Sequence, residues 1–360
     1  MLSKIYTKIR NGERISEDEG IFLLRHAELL DLADMANEIR FKNNPKPQVT
    51  FVIDSNPNYT NICENDCIFC AFRRQPDDED AYTYTVDRMI RHFKEAAARG
   101  VTTVLLQGGI NPALTFDYYT EMVKKTITEV PEVHPHFYSA PEIISMSRIS
   151  KLSITGVLQK LWEAGMRTIP GGGAEVLSDR VRGKISKKKG TSADWLNVMR
   201  EAHRIGYKST ATMMYGHIET DEDILTHLEG IRQLQDEYHG FTAFIPWSFK
   251  PANTSLAKLI TRPATATRYL QIIAFSRIYL DNFPHVQASW FPEGGKTGQI
   301  ALHFGADDFG GTLLEENVHA AADFVNRTSP EECIQMIHDA GFGAAQRSTL
   351  YGIIKLFSRS

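Results

Sequence analysis

Cysteine is scarce in this sequence: it has 4 cysteines in 360 residues, and three of them lie close together, at positions 63, 67 and 70. So few cysteines, so unevenly placed, exclude the disulfide framework of a small secreted protein. The sequence also lacks an apolar run long enough to cross a bilayer, and residues 1–10 lack the features of a signal peptide. These absences predict a cytoplasmic protein whose thiols stay reduced and available to a metal.

A large excess of charge of either sign is absent too. The formal net charge is −4 at pH 7, and charged residues make up 23% of the chain. Nucleic acids and anionic membrane surfaces attract strongly basic proteins, so we expect neither as a partner. The hydrophobic fraction of 42% provides ample apolar residues for the core of a globular protein.

The pattern of residues divides the chain into three parts. Residues 1–45 are predicted to be an N-terminal helical extension, in which Ser16 and Glu19 form a capping-box pattern ahead of an apolar stripe at helical spacing. Residues 46–312 are predicted to be one barrel domain. Residues 313–360 are predicted to be a C-terminal helical segment packed on the barrel, because Ser329 and Pro330 mark the start of a helix there.

Strands and helices alternate through the middle part of the chain. The predicted strands cover residues 49–53, 101–106, 134–139, 166–169, 209–214, 241–247, 286–290 and 301–304. Strands that alternate with helices favour right-handed parallel crossovers, and eight of them match an α/β fold of the (β/α)8, TIM-type class. A doubly wound open sheet is the alternative. The barrel is favoured because glycine, polar and aromatic residues follow the strands at their C-terminal ends, where barrel active sites lie.

The cysteine loop, residues 61–72, carries the clearest chemical signal. Cys63, Cys67 and Cys70 are spaced Cys-x3-Cys-x2-Cys, which allows three thiolates to bind three corners of a cubane iron–sulfur cluster and leaves the fourth iron open. Two alternatives remain at this point: three buried thiols on one helix face, or a structural zinc site whose fourth ligand comes from elsewhere in the fold. Asn65 and Asp66, between the thiols, favour a ligating loop over a helix.

With Phe69 immediately before the third cysteine, this loop resembles that of the radical S-adenosylmethionine (SAM) superfamily. The resemblance implies a [4Fe–4S] cluster on Cys63, Cys67 and Cys70, with the amino and carboxylate groups of SAM on the open iron. It also implies that an electron from the cluster cleaves SAM to methionine and a 5′-deoxyadenosyl radical. A flavodoxin or a ferredoxin is then the expected electron donor.

Further stretches resemble the dehypoxanthine futalosine cyclase family of menaquinone biosynthesis. They cover residues 58–63, 67–72, 106–112, 139–143, 170–175, 212–220, 288–290 and 346–347. This resemblance implies an oxidoreductase that cyclises dehypoxanthine futalosine: a sugar radical adds to the benzoate ring and forms a C–C bond. Aminofutalosine synthase and the deazaflavin synthase components are related alternatives, and a zinc-binding protein without enzyme activity is a more distant one.

The same resemblance identifies candidate residues for binding SAM. Gln107, Gly108 and Gly109 follow the second predicted strand, where glycines let backbone groups approach the methionyl amine of SAM. Ser139 follows the third strand and is a further candidate. Glu175 follows the fourth strand, where a carboxylate can accept hydrogen bonds from ribose hydroxyls or an ammonium group; a surface salt bridge is the alternative.

Two residues after the fifth predicted strand are candidates for a catalytic role. His217 can accept or relay a proton, because imidazole titrates near neutral pH, and Tyr215 lies beside it in the sequence. A hydrogen-bonded structural histidine is the competing interpretation. Trp247 and Trp290, at two other strand ends, either fill the core or lie against an aromatic ring of a ligand.

Overall fold

The computed structural model describes residues 1–260 and 262–358. Its strands are β1 (Gln48–Val52), β2 (Asp54–Ser55), β3 (Thr103–Leu106), β4 (His134–Phe137), β5 (Thr168–Ile169), β6 (Lys208–Tyr215), β7 (Phe241–Ser248), β8 (His285–Val286), β9 (Asp308–Gly311), β10 (Gly343–Arg347) and β11 (Ile353–Phe357).

The helices lie between and around these strands. They are α1 (Leu2–Asn11), α2 (Glu17–His26), α3 (Leu29–Asn43), α4 (Val86–Ala98), α5 (Phe116–Glu129), α6 (Ala140–Ser150), α7 (Ile154–Glu163), α8 (Asp179–Ile185), α9 (Ser192–Ile205), α10 (Asp221–Tyr238), α11 (Ala266–Tyr279), α12 (Trp290–Glu293), α13 (Gly295–Ala301) and α14 (Pro330–Asp339). Among the described residues, no helix combines the length and the apolar character needed to span a membrane.

The parallel strands form a closed circuit. Strands β2 to β8 make one parallel sheet in sequence order. Strand β1, separated from β2 by Ile53 alone, pairs in parallel with β9, and Gln287, just after β8, forms a parallel bridge with Asp308 in β9. With β1 and β2 counted as one strand, eight parallel strands surround a common interior. The predicted (β/α)8 architecture is therefore confirmed.

The N-terminal helices find the partner surface that their apolar stripe requires. Helix α3 packs against α11, and Leu32, Met35 and Ala36 on α3 are buried. The capping box predicted at Ser16 is present at the start of α2, and the helix start predicted at Ser329 and Pro330 is the start of α14, where Ser329 also forms a capping box. These local signals are confirmed because side-chain caps satisfy the free N–H groups of a helix end wherever the helix packs.

The prediction of the eighth strand at residues 301–304 was wrong. Helix α13 runs to Ala301, a turn follows, and the strand is Asp308–Gly311. Asp308 is buried and ion-paired with Arg347, and the preceding Asp307 is buried and ion-paired with Arg277. Charged residues are almost never buried unless they are paired, so two adjacent aspartates conceal a core strand from a search for apolar patterns.

The description of residues 313–360 as helical was incomplete. Helix α14 is present, but β10 pairs in parallel with β1 and β11 pairs antiparallel with β10. The sequence of β10, Gly-Ala-Ala-Gln-Arg, has little intrinsic strand preference. Its pairing with β1, and not its own sequence, stabilises it as a strand. Residues 359 and 360 lie outside the described residues.

Replacing Arg277 with methionine tests the buried ion pair beside β9. The change leaves Asp307 buried with His285, 2.6 Å away, as its remaining ion-pair partner, so we expect a loss of about 3 kcal/mol in the free energy of unfolding, the low end for a broken buried pair. Urea denaturation measures this loss. Arg14→Met is the matched control, because Arg14 pairs with Asp236 and Asp281 at the surface, with 39% of its side chain exposed, and each such pair contributes about 1 kcal/mol or less. Equal losses in the two variants would contradict the structural role of Arg277.

Candidate active site

The cysteine loop follows β2, at the carboxyl end of the first barrel strand. Residues 61–70 contain no helix, so the alternative of three core thiols on one helix face is wrong. Cys63, Cys67 and Cys70 are free thiols, and all three line a single cavity of about 380 Å³ that continues into the barrel.

Backbone hydrogen bonds hold the loop from several sides. The N–H of Ile110 donates to Sγ of Cys63 at 3.2 Å, and the N–H of Ile68 donates to the carbonyl of Ile185 at 3.0 Å. The carbonyl of Ile68 in turn accepts from the N–H of Leu256 at 2.8 Å. Segments after β3, in α8 and after β7 therefore fix the position of the thiols, and an N–H that donates to sulfur favours the thiolate form.

The thiol geometry fits a cluster better than a single metal ion. Among residues 1–260 and 262–358, no three Cys, His, Asp or Glu side chains converge on one metal position. Structural zinc needs four ligands that converge on one ion, whereas a cubane binds each thiolate through a different iron. Burial raises the pKa of Cys67 to about 12 and also raises that of Cys63, so metal binding must displace protons from these thiols.

Most of the residues predicted from the sequence meet in this cavity. Its lining includes Cys63, Cys67, Phe69, Cys70, Gln107, Gly108, Gly109, Ser139, Glu175, Trp247 and Trp290. These residues lie in or after six different strands, β2, β3, β4, β5, β7 and β8. They meet because the carboxyl ends of all the parallel strands open at the same end of a barrel.

Gly108 and Gly109 are also required by packing within the protein, whereas their predicted contact with SAM stays a prediction. A Cβ on Gly109 would lie 2.1 Å from the carbonyl oxygen of Ile62, and a Cβ on Gly108 would lie 2.5 Å from the ring of Tyr59. Both contacts are with the protein itself. The two glycines thus let the loop after β3 pack directly against the cysteine loop, while their backbone still faces the cavity.

Glu175 forms a buried ion pair, not a surface salt bridge. Lys189 Nζ lies 2.6 Å from Glu175 Oε1, and the side chains are 17% and 5% exposed. The same ammonium lies 4.9 Å from the ring centroid of Phe69. Burial opposes the charge on Lys189, but attraction to Glu175 and Cys67 outweighs it and raises the lysine pKa. Lys189 was missed from the sequence, although the lysine run at 187–189 is visible there.

Ser139 and Gln107 are held by neighbouring groups. Ser139 is the N-cap of α6, and its N–H and hydroxyl donate to Glu142 at 2.7 and 2.6 Å. The amide of Gln107 lies against Gly172, where a Cβ would be 2.4 Å from its nitrogen. Both side chains therefore have defined positions on the cavity wall, and their contact with SAM stays a prediction.

The catalytic roles predicted for His217 and Tyr215 do not agree with the structure, because neither residue lines the cavity. The Nδ1 atom of His217 accepts from the N–H of Ile218 at 2.7 Å, and Nε2 lies 3.0 Å from the carbonyl of Met214. Both ring nitrogens are therefore used, as in a structural histidine. Thr210 and Thr212 of β6 face the cavity, so the strand alternation directs Tyr215 outward.

The inner end of the cavity holds polar residues that strand patterns did not predict. Asp54 and His136 lie on barrel strands, and Arg347 enters from β10 and donates to Asp308 at 3.0 Å. His319 lies nearer the mouth, with its ring 5.4 Å from that of Trp247 and 5.3 Å from that of Phe291. Only the motif at residues 346–347 pointed to any of these positions.

Comparisons with known proteins agree with this geometry. Residues 57–231 match the model of the radical SAM superfamily, and residues 238–359 match the CofH/MqnC C-terminal region. A cyclic dehypoxanthine futalosine synthase from Halalkalibacterium halodurans is 40% identical over 347 residues, which cover 96% of this chain and 93% of that protein. This chain belongs to the radical SAM superfamily. As a member, it uses a [4Fe–4S] cluster and SAM.

Other relatives in this radical SAM family carry different names. A 5-amino-6-(D-ribitylamino)uracil–L-tyrosine 4-hydroxyphenyl transferase from Methanopyrus kandleri is 40% identical over 86% of this chain and 85% of its own. An aminodeoxyfutalosine synthase from Thermus thermophilus is 36% identical over 99% of this chain and 97% of its own. Overall identity therefore establishes the family and does not by itself choose the substrate.

A solved structure shows the same fold. The crystal structure of methylornithine synthase superposes with a TM-score of 0.73 at 16% sequence identity, and the match covers 94% of this chain and 96% of that one. At such low identity, the likeness concerns the fold alone. The radical SAM barrel of this chain is therefore an architecture already observed by experiment.

Replacing Gly109 with alanine tests the contact between the two loops. The added Cβ overlaps the carbonyl of Ile62 and displaces the cysteine loop, so we expect the reconstituted variant to hold less than half the iron and sulfide of the wild type. Chemical iron and sulfide analysis measures this. Gly183→Ala is the matched control, since Gly183 lies in nearby α8 with open space at its Cβ. Full cluster content in both variants would contradict the proposed contact.

Proposed function

We propose that this chain is a cyclic dehypoxanthine futalosine synthase, which forms a C–C bond within dehypoxanthine futalosine on the route to menaquinone. The observation that carries the proposal is one continuous cavity. The three thiols lie at its mouth, and an interior with an aromatic wall lies beyond them. A radical made at the mouth therefore meets a bound substrate without crossing solvent, which cyclisation within a single molecule requires.

The chain's own residues divide into groups by their place along this cavity. Cys63, Cys67 and Cys70 would hold the cluster, and the bound cluster with SAM supplies a 5′-deoxyadenosyl radical. The SAM-binding residues are proposed to be Phe69, Gln107, Gly108, Gly109, Ser139 and Glu175. Lys189 holds Glu175 in place and adds a positive charge beside the thiolates, which favours their deprotonated form.

The wall beyond the SAM region suits a substrate with an aromatic ring. Trp247, Trp290 and Phe291 line it together with Leu313. Trp290 is held by a hydrogen bond from Nε1 to the carbonyl of Gly311 at 2.9 Å and stacks on Phe309. A rigid aromatic wall orients a benzoate ring by apolar contact, and a held ring is a prerequisite for directed attack by a sugar radical.

An anaerobic assay of the reconstituted protein tests the proposed function. The protein is incubated with SAM, a reductant and each of three substrate sets: dehypoxanthine futalosine, the substrates of aminodeoxyfutalosine synthase, and the uracil–tyrosine pair. We expect a new cyclised product, identified by mass spectrometry, from dehypoxanthine futalosine alone. Cys67→Ala is the control and should give no product. Turnover of either other set in place of the first would assign the chain to that relative's reaction.

We also propose that electrons reach the cluster from a small acidic carrier, a flavodoxin, that docks beside the cysteine loop. Lys184, Lys187 and Lys188 are exposed around this loop. Lys188 Nζ lies 3.4 Å from the carbonyl of Glu64 within the loop. In the described parts of the chain, Lys184 and Lys187 have no carboxylate partner. Such unpaired charges attract an acidic protein to the point where the electron must enter. The need for reduced thiols agrees with a cytoplasmic setting.

Reversing two of these charges tests the docking surface. Lys184→Glu with Lys187→Glu should slow cluster reduction by flavodoxin hydroquinone about tenfold at low ionic strength, with the difference shrinking as salt screens it. Stopped-flow absorbance of the cluster measures the rate. Lys124→Glu with Lys160→Glu reverses two exposed charges on α5 and α7 and should have no effect. Dithionite should reduce all proteins equally, and an equal loss with dithionite would argue against docking.

A further inference from the structure

Asp54 is a buried carboxylate on the cavity wall with few partners of its own. It begins β2, is 7% exposed and lines the cavity. Its Oδ1 accepts from the N–H of Leu313 at 2.8 Å. Within residues 1–260 and 262–358, no side chain donates a hydrogen bond to either of its oxygens. A buried polar group normally finds partners, so a carboxylate left open toward a cavity indicates a group that acts on a ligand.

The neighbourhood of Asp54 leaves room for this carboxylate. A Cβ on Gly311 would lie 2.1 Å from Oδ2 of Asp54, so only glycine at position 311 allows the observed side chain. The charged and titratable groups that face Asp54 are Arg347 on β10, Asp308 on β9 and Cys333 on α14. Arg347 is already engaged by Asp308, and it does not neutralise Asp54 by direct contact.

Among the carboxylates that line the cavity, Asp54 is the one suited to accept a proton. Glu175 is neutralised by Lys189, and Glu316 accepts from the N–H groups of Val318 and His319 at 3.1 and 2.8 Å. Burial raises the pKa of Asp54 to about 6, and the Leu313 N–H and Arg347 only partly oppose this. A base with such a pKa is ionised at neutral pH and still accepts a proton readily.

The imidazoles of the cavity are the competing bases. His136 is buried, its Nδ1 lies 2.8 Å from the hydroxyl of Thr168, and burial lowers its pKa to about 3, so it stays neutral and is a weak base. His319 lies between aromatic rings nearer the mouth. Its Nδ1 lies 3.3 Å from Oε1 of Glu316, and its Nε2 has no hydrogen-bond partner in the described structure. His319 is therefore the residue against which Asp54 must be compared.

We propose that Asp54 takes the proton that the benzoate ring loses when the cyclised product becomes aromatic again. This inference rests on the proposed synthase function. After the sugar carbon bonds to the ring, the ring carbon of the new C–C bond still carries its hydrogen, and the ring holds one unpaired electron. The ring C–H bond breaks, the proton goes to the Asp54 carboxylate, and the electron goes to a one-electron acceptor of the iron–sulfur class. Asp54 then returns its proton to water as the product leaves.

Asp54→Asn and His319→Gln separate the two candidate bases. We expect Asp54→Asn to lower the rate of cyclised product about 100-fold or more, as loss of a general base does, while SAM cleavage continues and 5′-deoxyadenosine accumulates in excess over product. The wild-type rate should rise through pH 6 with Asp54 ionisation, and this rise should be absent in Asp54→Asn. His319→Gln should keep it. The reverse pattern would assign the proton to His319 and overturn the proposal.

Two measurements without turnover complete the test. Infrared difference titration of the cluster-free wild type should show a carboxyl band that titrates near pH 6, and this band should be absent from Asp54→Asn. If the wild-type protein lacks such a band, the proposal is overturned, whether or not the variant folds. Calorimetry should show dehypoxanthine futalosine binding with a Kd within threefold of wild type in Asp54→Asn, whereas lost binding would make Asp54 a binding residue. If the wild type forms no cyclised product, the synthase function fails and the role of Asp54 fails with it. If the wild type forms the cyclised product and Asp54→Asn forms it at the same rate, the role of Asp54 is rejected and the synthase function stands.

Discussion

The closed interior of this protein depends on two adjacent buried aspartates. Asp307 and Asp308 lie where the last barrel strand meets the first, and Arg277 and Arg347 neutralise them. The backbone around them links β8 to β9, and β9 to β1. Without the two arginines, Asp308 would be a buried charge that has lost its ion-pair partner, and of its ion pairs Asp307 would keep only the one with His285, so the fold would be strongly destabilised. The cavity, and hence everything proposed for it, requires that this seam is closed.

Inside that barrel, the cysteine loop and its surroundings form one packed unit. Gly109 allows the loop after β3 to lie against Ile62, Ile110 donates to Cys63, and Ile185 accepts from Ile68. These are backbone contacts, so they depend on the path of the chain more than on side-chain identity. Such a loop can present three thiolates in a defined arrangement, with Glu175 and Lys189 as a buried ion pair beside them.

The cavity changes in character along its length. Near the thiols its wall combines glycine backbone, the ring of Phe69 and the Glu175–Lys189 ion pair, and further in it is aromatic on one side and polar at Asp54 and Arg347. The first region suits a cofactor held by hydrogen bonds, and the second suits a substrate with a ring and a sugar. Relatives with the same fold can therefore catalyse different reactions if the residues of the inner wall differ, while the region near the thiols still binds the cofactor.

Local spacing was enough to predict the cysteine loop, the strand–helix alternation and the helix caps at Ser16 and Ser329, because each depends on residues a few positions apart. Strand β9, strand β10 and the outward direction of Tyr215 depended on the folded chain. Asp308 in β9 is stable when buried because Arg347, from a distant segment, pairs with it. Strand β10 forms because it pairs with β1. The ring nitrogens of His217 contact nearby backbone groups, which is typical of a structural histidine. Lys189 and Asp54 reach the cavity for the same reason: burial and pairing come from contacts between segments that lie far apart in the sequence.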